Sequence, residues 1–259
     1  MRPRILSVFM IGFVFLLGVG PATAQRQAGT LQPLGTETLP PLLLGRALEG
    51  APMCQLGEHR GPIGYVLYVY PPNDRYFTLL DPAQCTACPA QSGVLLDVAH
   101  IGLAFPVACT QHVTVSVVGT KPGGAGCLVP DESHLLCTSA SFTLTAPSPG
   151  AYNVALPLPS GCCIDQPVFL SFNFYDVSTC YPGYSQVGLV VVGLPCASCE
   201  TWNFYPNSGG PGDAHDEMCT AASWPSGAGN IFMYADAECC NLVTPTERGT
   251  WGRIKILYR

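Results

Sequence analysis

Phe169-Leu170-Ser171-Phe172-Asn173-Phe174-Tyr175 decides the fold. Large apolar residues stand beside small polar ones at a period of two, which is the signature of a half-buried antiparallel strand. Val113-Thr114-Val115-Ser116-Val117 repeats the pattern. Working outward, β-rich runs occupy 63–70, 94–100, 113–118, 141–145, 152–156, 168–175, 186–192 and 231–234, several of them alternating, separated by Gly, Pro, Asn and Asp. About eight such strands over roughly 190 residues predict an all-β domain, a single antiparallel β-sandwich of jelly-roll type.

Composition agrees with that class. Of 259 residues, 48% are hydrophobic and only 11% charged, while 28 Gly and 25 Pro interrupt the chain. A helical bundle or coiled coil is excluded, because both need long runs of helix formers at helical periods. Disorder is excluded by high apolar content with low charge.

The ends carry separate signals. Arg2 and Arg4 precede an apolar run over 5–19, and Pro21-Ala22-Thr23-Ala24 offers a small-residue cleavage site. This predicts a signal peptide over 1–24, with the apolar run short for a bilayer span, and a chain without a transmembrane segment after cleavage. Residues 25–50, rich in Pro, Gly, Leu and Thr, read as an extended linker. The sandwich is expected over 51–241 and a basic, apolar tail over 242–259. The loop at 206–229 is rich in Gly, Ser and Asp.

The cleaved chain would carry a net charge of −8, divided between −11 on residues 25–241 and +3 on the tail. An acidic body argues against nucleic acid and anionic membrane as partners. In the tail, Trp251, Ile254, Leu257 and Tyr258 share a face if Thr250 caps a short amphipathic helix. A strand would alternate Ile254, Ile256 and Tyr258 instead; the helix is the preferred reading. Arg253 and Lys255 would steer such a docking element onto an acidic surface, unless the tail packs on its own domain.

Fourteen cysteines follow the cleavage site: Cys54, Cys85, Cys88, Cys109, Cys127, Cys137, Cys162, Cys163, Cys180, Cys196, Cys199, Cys219, Cys239 and Cys240. In an exported chain an even number predicts disulfides, here up to seven, whose connectivity spacing does not reveal. Cys85-Thr-Ala-Cys88 and Cys196-Ala-Ser-Cys199 also raise zinc and redox readings. Their wide separation does not support a zinc ribbon, and neither precedes a helix that would activate a thiolate. Cys162-Cys163 and Cys239-Cys240 are expected to bond outward, because vicinal disulfides are strained.

Three pieces together resemble a group of uncharacterised secreted bacterial Cys-rich β-sandwich proteins. They are Pro149-Gly-Ala-Tyr-Asn-Val-Ala-Leu-Pro157 leading to Cys162-Cys163, then Gly229-Asn-Ile-Phe-Met-Tyr-Ala-Asp-Ala-Glu-Cys-Cys240, then the Trp-Gly-x-Ile-Lys tail. The resemblance spans most of 85–259. It implies an accessory-type sandwich with a recurrent C-terminal tag, and brings no catalytic residues.

Chemistry-bearing motifs are sparse. There is no G-x-S-x-G elbow, H-E-x-x-H helix, P-loop, dinucleotide fingerprint or EF-hand loop. Asp213, His215, Asp216 and Glu217 form the densest polar cluster, with ligand types suited to Ca²⁺ or a transition metal. A solvated acidic loop is the plainer account, so no cofactor is assigned. Trp202, Tyr205 and Trp224, near Asn203 and Asp213, could stack on and hydrogen-bond a sugar. Their alternative is to cover one end of the sandwich. His59, His100, His112 and His134 are scattered, with His100 and His112 flanking a turn. The sequence therefore predicts a secreted, disulfide-stapled module that binds or displays rather than catalyses, with an extracellular protein or glycan surface as partner. A carbohydrate-binding module and a secreted hydrolase or metal-binding protein are the alternatives.

Overall fold

The computed structural model describes residues 27–28, 30–34, 53–58, 63–68, 74–89, 92–174, 180, 187–192, 197–204, 215–218 and 230–241. The chain runs through β1 (Gln27–Ala28), β2 (Thr30–Pro33), β3 (Met53–Glu58), β4 (Ile63–Tyr68), β5 (Asp74–Leu80), β6 (Gly93–Phe105) and β7 (Cys109–Pro122). It continues as β8 (Leu128–Thr138), β9 (Phe142–Ala146), β10 (Gly150–Pro157), β11 (Cys163–Ile164), β12 (Val168–Phe174), β13 (Gly188–Val192), β14 (Thr201–Phe204), β15 (His215–Glu217), β16 (Asn230–Ile231) and β17 (Met233–Cys240). Short 3₁₀ turns occupy Pro82–Gln84 and Gly124–Gly126. Among the described residues no helix is long and apolar enough to cross a membrane.

Two sheets form a sandwich. The first has the order β1-β9-β7-β12-β5-β14-β15, with β8 also on β7. The second is built around β6, which pairs with β10 and β11 and with β13 and β17; β2, β3, β4 and β16 extend it. Every pairing is antiparallel except β1 with β9. The chain changes sheets repeatedly, so consecutive segments such as β6 and β7 face each other across the core.

The decisive stretch becomes β12, held between β5 and β7 with Phe172 opposite Tyr76 and Val115. Leu170, Phe172 and Phe174 point inward with Val113, Val115 and Val117 of β7. They meet Ile101, Leu103, Val154 and Met233 of the other sheet, all fully buried. Burial of such a side chain contributes about 1.5–3 kcal/mol.

The expected half-burial of β12 is corrected by the structure. Phe169 is 0% and Ser171 4% exposed on the opposite face, because a second cluster of Phe77, Val118, Phe169, Trp202 and Phe204 covers it. The second sheet also carries an apolar layer on its outer face, formed by Val190, Val192, Phe232 and Tyr234. Gly102 makes room there, since a Cβ at that position would lie 2.7 Å from Val190 Cβ and 2.8 Å from Phe232 Cδ1.

The 25–50 segment is more than a linker. Gln27–Ala28 joins β9 of the first sheet, and Thr30–Pro33 joins β10 of the second. Residues 1–24, expected to be a signal peptide, and the 242–259 tail lie outside the described residues.

Candidate functional site

The two ends of the sandwich differ in chemistry. At the near end β5 finishes at Leu80 and β6 begins at Gly93. Asp81 caps the intervening turn, its Oδ1 accepting from Ala83 N–H at 2.9 Å, and Pro82 enters where no donor is needed. Cys85 N–H then donates to Pro82 O at 3.0 Å, and Cys88 N–H to Cys85 O at 3.1 Å. These bonds fold Cys85-x-x-Cys88 into a tight turn.

Its cysteines do not bond to each other. Cys85 is joined to Cys54 of β3 and Cys88 to Cys239 of β17. The next residue, Cys240, is joined to Cys163, and Cys162 to Cys137. Both vicinal pairs therefore bond outward, as expected. The four bridges form a chain, linked by the two vicinal pairs and by a non-bonded contact of 3.2 Å between Cys85 Sγ and Cys88 Sγ. Neither sulfur carries a hydrogen, so this is sulfur packing and not a hydrogen bond.

A groove of about 410 Å³ opens beside this cluster, lined by Pro82, Cys85, Thr86, Cys88, Ser92 and Asp165 among others. The sulfurs of Cys54, Cys85 and Cys88 lie within 4.8 Å of one another, close enough for a soft metal. A metal needs thiolates, however, and these sulfurs are held as disulfides. Two further bridges, Cys127–Cys199 and Cys109–Cys180, complete the six found among the described residues, where no free cysteine occurs. Cys196 and Cys219 lie outside those residues. Six disulfides are typical of an oxidising, extracellular setting.

A polar network occupies the outer face of the second sheet. Antiparallel register brings His100 of β6 beside Tyr234 of β17, and Asp236 beside Gln55 of β3. His100 Nε2 donates to Asp236 Oδ2 at 2.9 Å, and Gln55 Nε2 donates to Asp236 Oδ1 at 2.8 Å. Asn153 Nδ2 donates to His100 Nδ1 and to Tyr234 Oη, each at 3.3 Å. The imidazole stacks on the Tyr234 ring, with centroids 4.3 Å apart. Burial pushes the Tyr234 phenol up to about 12; the Asn153 hydrogen bond opposes that rise and the Asp236 charge adds to it. The imidazole is thus clamped between a carboxylate and an amide, with its face covered.

At the far end, β12 and β14 finish while β5 and β15 begin. Phe174 stands opposite Asp74, and Phe204 opposite Arg75 and His215. Arg75 lies over the Phe204 ring, 4.2 Å from its centroid, and pairs with Glu132. Desolvation lowers the guanidinium pKa from its usual value.

Of the residues singled out for sugar or metal binding, Trp202 and Asn203 on β14 stand opposite Glu217 and Asp216 on β15. Trp202 is 7% exposed within the outer cluster, and its Nε1–H donates to Cys199 O at 3.2 Å. That withdraws Trp202 from the sugar-stacking role, and its apolar neighbours Phe77 and Phe169 are the reason. Asn203 is 1% exposed and donates through Nδ2 to Arg75 O. Its Oδ1 is buried without a partner, as are Thr78 Oγ1 and Thr201 Oγ1.

Glu217 Oε1 accepts from Cys199 N–H at 2.7 Å. His215 and Asp216 are placed by backbone alone, opposite Phe204 and Asn203. Tyr205, Asp213, Trp224 and His59 lie outside the described residues, as do the tail residues Trp251, Arg253, Ile254, Lys255, Leu257 and Tyr258. His100 and His112 belong to different sheets; His112 Nδ1 lies 3.2 Å from Thr143 Oγ1. Reasoning from sequence passed over Asn153, Tyr234, Asp236 and Gln55, because pairings across 53 to 181 residues join them and no local spacing announces such a set.

Comparison with family models, with curated proteins and with solved structures found no match to this chain.

Proposed function

We propose that this chain is an exported, disulfide-stapled β-sandwich that acts by binding or display, with an extracellular protein or glycan surface as its partner. The observation that carries this reading is the asymmetry between the two ends. Five of the six disulfides brace the near end, whereas only Cys109–Cys180 secures the far end among the described residues. At that far end β14 finishes at Phe204 and β15 begins at His215. A body fixed at one end and emitting connections at the other suits presentation, because a rigid scaffold lowers the ordering cost of a binding surface. The tail would act as the docking element, its apolar anchors guided by Arg253 and Lys255.

The test compares the full chain with a variant lacking 242–259, both purified oxidised. Loss of retention on the envelope of producing cells, with an unchanged thermal midpoint, is the expected result. Equal retention of the shortened chain, or a tail as resistant to early proteolysis as the body, would overturn the docking assignment.

A further inference from the structure

We infer that the near-end sulfur cluster is a thiol–disulfide exchange site whose substrate class is an external dithiol. One two-electron reduction there replaces both the Cys54–Cys85 and Cys88–Cys239 bridges with a single Cys85–Cys88 bond. The juxtaposition that carries this is the 3.2 Å contact between Cys85 Sγ and Cys88 Sγ, each belonging to a different disulfide. Closing it to a bond of about 2.0 Å needs side-chain rotation of little more than an ångström. The backbone is already prepared, since the Cys88 N–H to Cys85 O bond holds the turn shut. A second feature is access. Cys88 is partly exposed and lines the 410 Å³ groove beside Pro82, Thr86 and Pro89, which leaves its sulfur open to an incoming thiol.

The steps balance. A thiolate of the external dithiol attacks Cys88 Sγ; a mixed disulfide forms, and the electron pair of the broken bond leaves on Cys239. The second thiol of the reagent then displaces Cys88, completing its own disulfide. Cys88 thiolate attacks Cys85 Sγ, the Cys85–Cys88 bond forms, and the Cys54–Cys85 bond breaks with its electron pair on Cys54. Cys54 and Cys239 each end with a proton, both supplied by the oxidised dithiol. Such exchange depends on thiolate fraction, leaving group and access. The result detaches the turn from β3 and β17 together, while the neighbouring Cys163–Cys240 bridge continues to hold β17 to β11.

Limited treatment of the folded chain with dithiothreitol, acid quenching and alkylation, followed by peptide mapping, tests the site. The first reduced species is expected to carry alkyl groups on Cys54 and Cys239, with a linked Cys85–Cys88 peptide. Alkylation of Cys88 with Cys239, the other bridge intact, would overturn the proposal. So would alkylation of Cys54 with Cys85, or loss of all bridges at once. A Cys54→Ser, Cys239→Ser double variant provides an independent arm, read by the same mapping after oxidative expression. A Cys85–Cys88 bond is expected in it, and two free thiols at those positions would defeat the idea.

Discussion

Cys109–Cys180 and Cys163–Cys240 close loops of almost equal length, 71 and 77 residues, yet they sit in opposite circumstances. Among the described residues the first is the one bridge at the far end, and the second lies in a chain of four bridges at the near end. Loop length alone would give each about 4 kcal/mol of stabilisation. The neighbourhood changes that. Cys88–Cys239 ties the residue next to Cys240, so removing Cys163–Cys240 leaves the end of β17 still anchored. Bridges in contact share the same entropy, and their contributions are not additive.

The largest predicted effect follows from that contrast. Cys109→Ser with Cys180→Ser should cost about 4 kcal/mol and lower the thermal midpoint by about 10 °C. Cys163→Ser with Cys240→Ser should cost less than half as much. Equal losses in denaturant titrations would break the comparison.

A second test sharpens it within the near end. A Cβ added at Gly93 would lie 2.7 Å from Cys163 Sγ and 3.0 Å from Cys240 Sγ. Gly93→Ala should therefore cost about 1–3 kcal/mol through overpacking. In the background lacking that bridge the penalty should shrink, because serine is smaller and free to rotate. An undiminished penalty would point instead to Ile164 O, 2.9 Å from the same position.

The polar face offers a comparison without sulfur. Tyr234 holds its proton more tightly in the folded chain than in the unfolded one, where the phenol titrates near 10. Its stabilisation is therefore complete below about pH 10 and is lost as the pH rises through about 12. The drop should be on the order of 2 kcal/mol, and Tyr234→Phe should flatten it. Alkaline denaturation curves of the two chains that fall in parallel would contradict the assignment.

The smallest effect concerns the unpartnered oxygens. Thr78→Val replaces a buried hydroxyl without a hydrogen bond by a methyl of similar shape, and should change stability by no more than about 0.5 kcal/mol, in the favourable direction. A clear loss would mean that water bridges Thr78, Thr201 and Asn203.

These residues also show what was legible in the sequence. All eight β-rich runs contain strand, since β-branched and aromatic residues bounded by turn residues mark a strand even where, as in β12 and β13, both faces are buried. β5 escaped notice: Tyr76-Phe77 places apolar residues on both faces, and both are buried, so no alternation is left to read. Trp202 left its two readings, sugar platform and cover for the sandwich, undivided for a related reason. An aromatic beside Asn and Asp resembles a sugar platform until a second layer is seen to cover the sheet. The outward bonding of the vicinal cysteines followed from geometry, but their partners did not, since pairing is decided by strand register across as many as 151 residues. The His100 network was illegible for the same cause.

Where the 25–50 segment begins, it pairs with the outer edges of both sheets within seven residues, β1 on β9 and β2 on β10. Exposed strand edges invite pairing with other chains. Residues 27–33 thus serve as a selvedge, finishing two borders at which neighbouring molecules could otherwise be stitched on. Trimming residues 25–34 should leave the core intact while exposing Tyr152–Ala155 and Phe142–Thr143 to self-association.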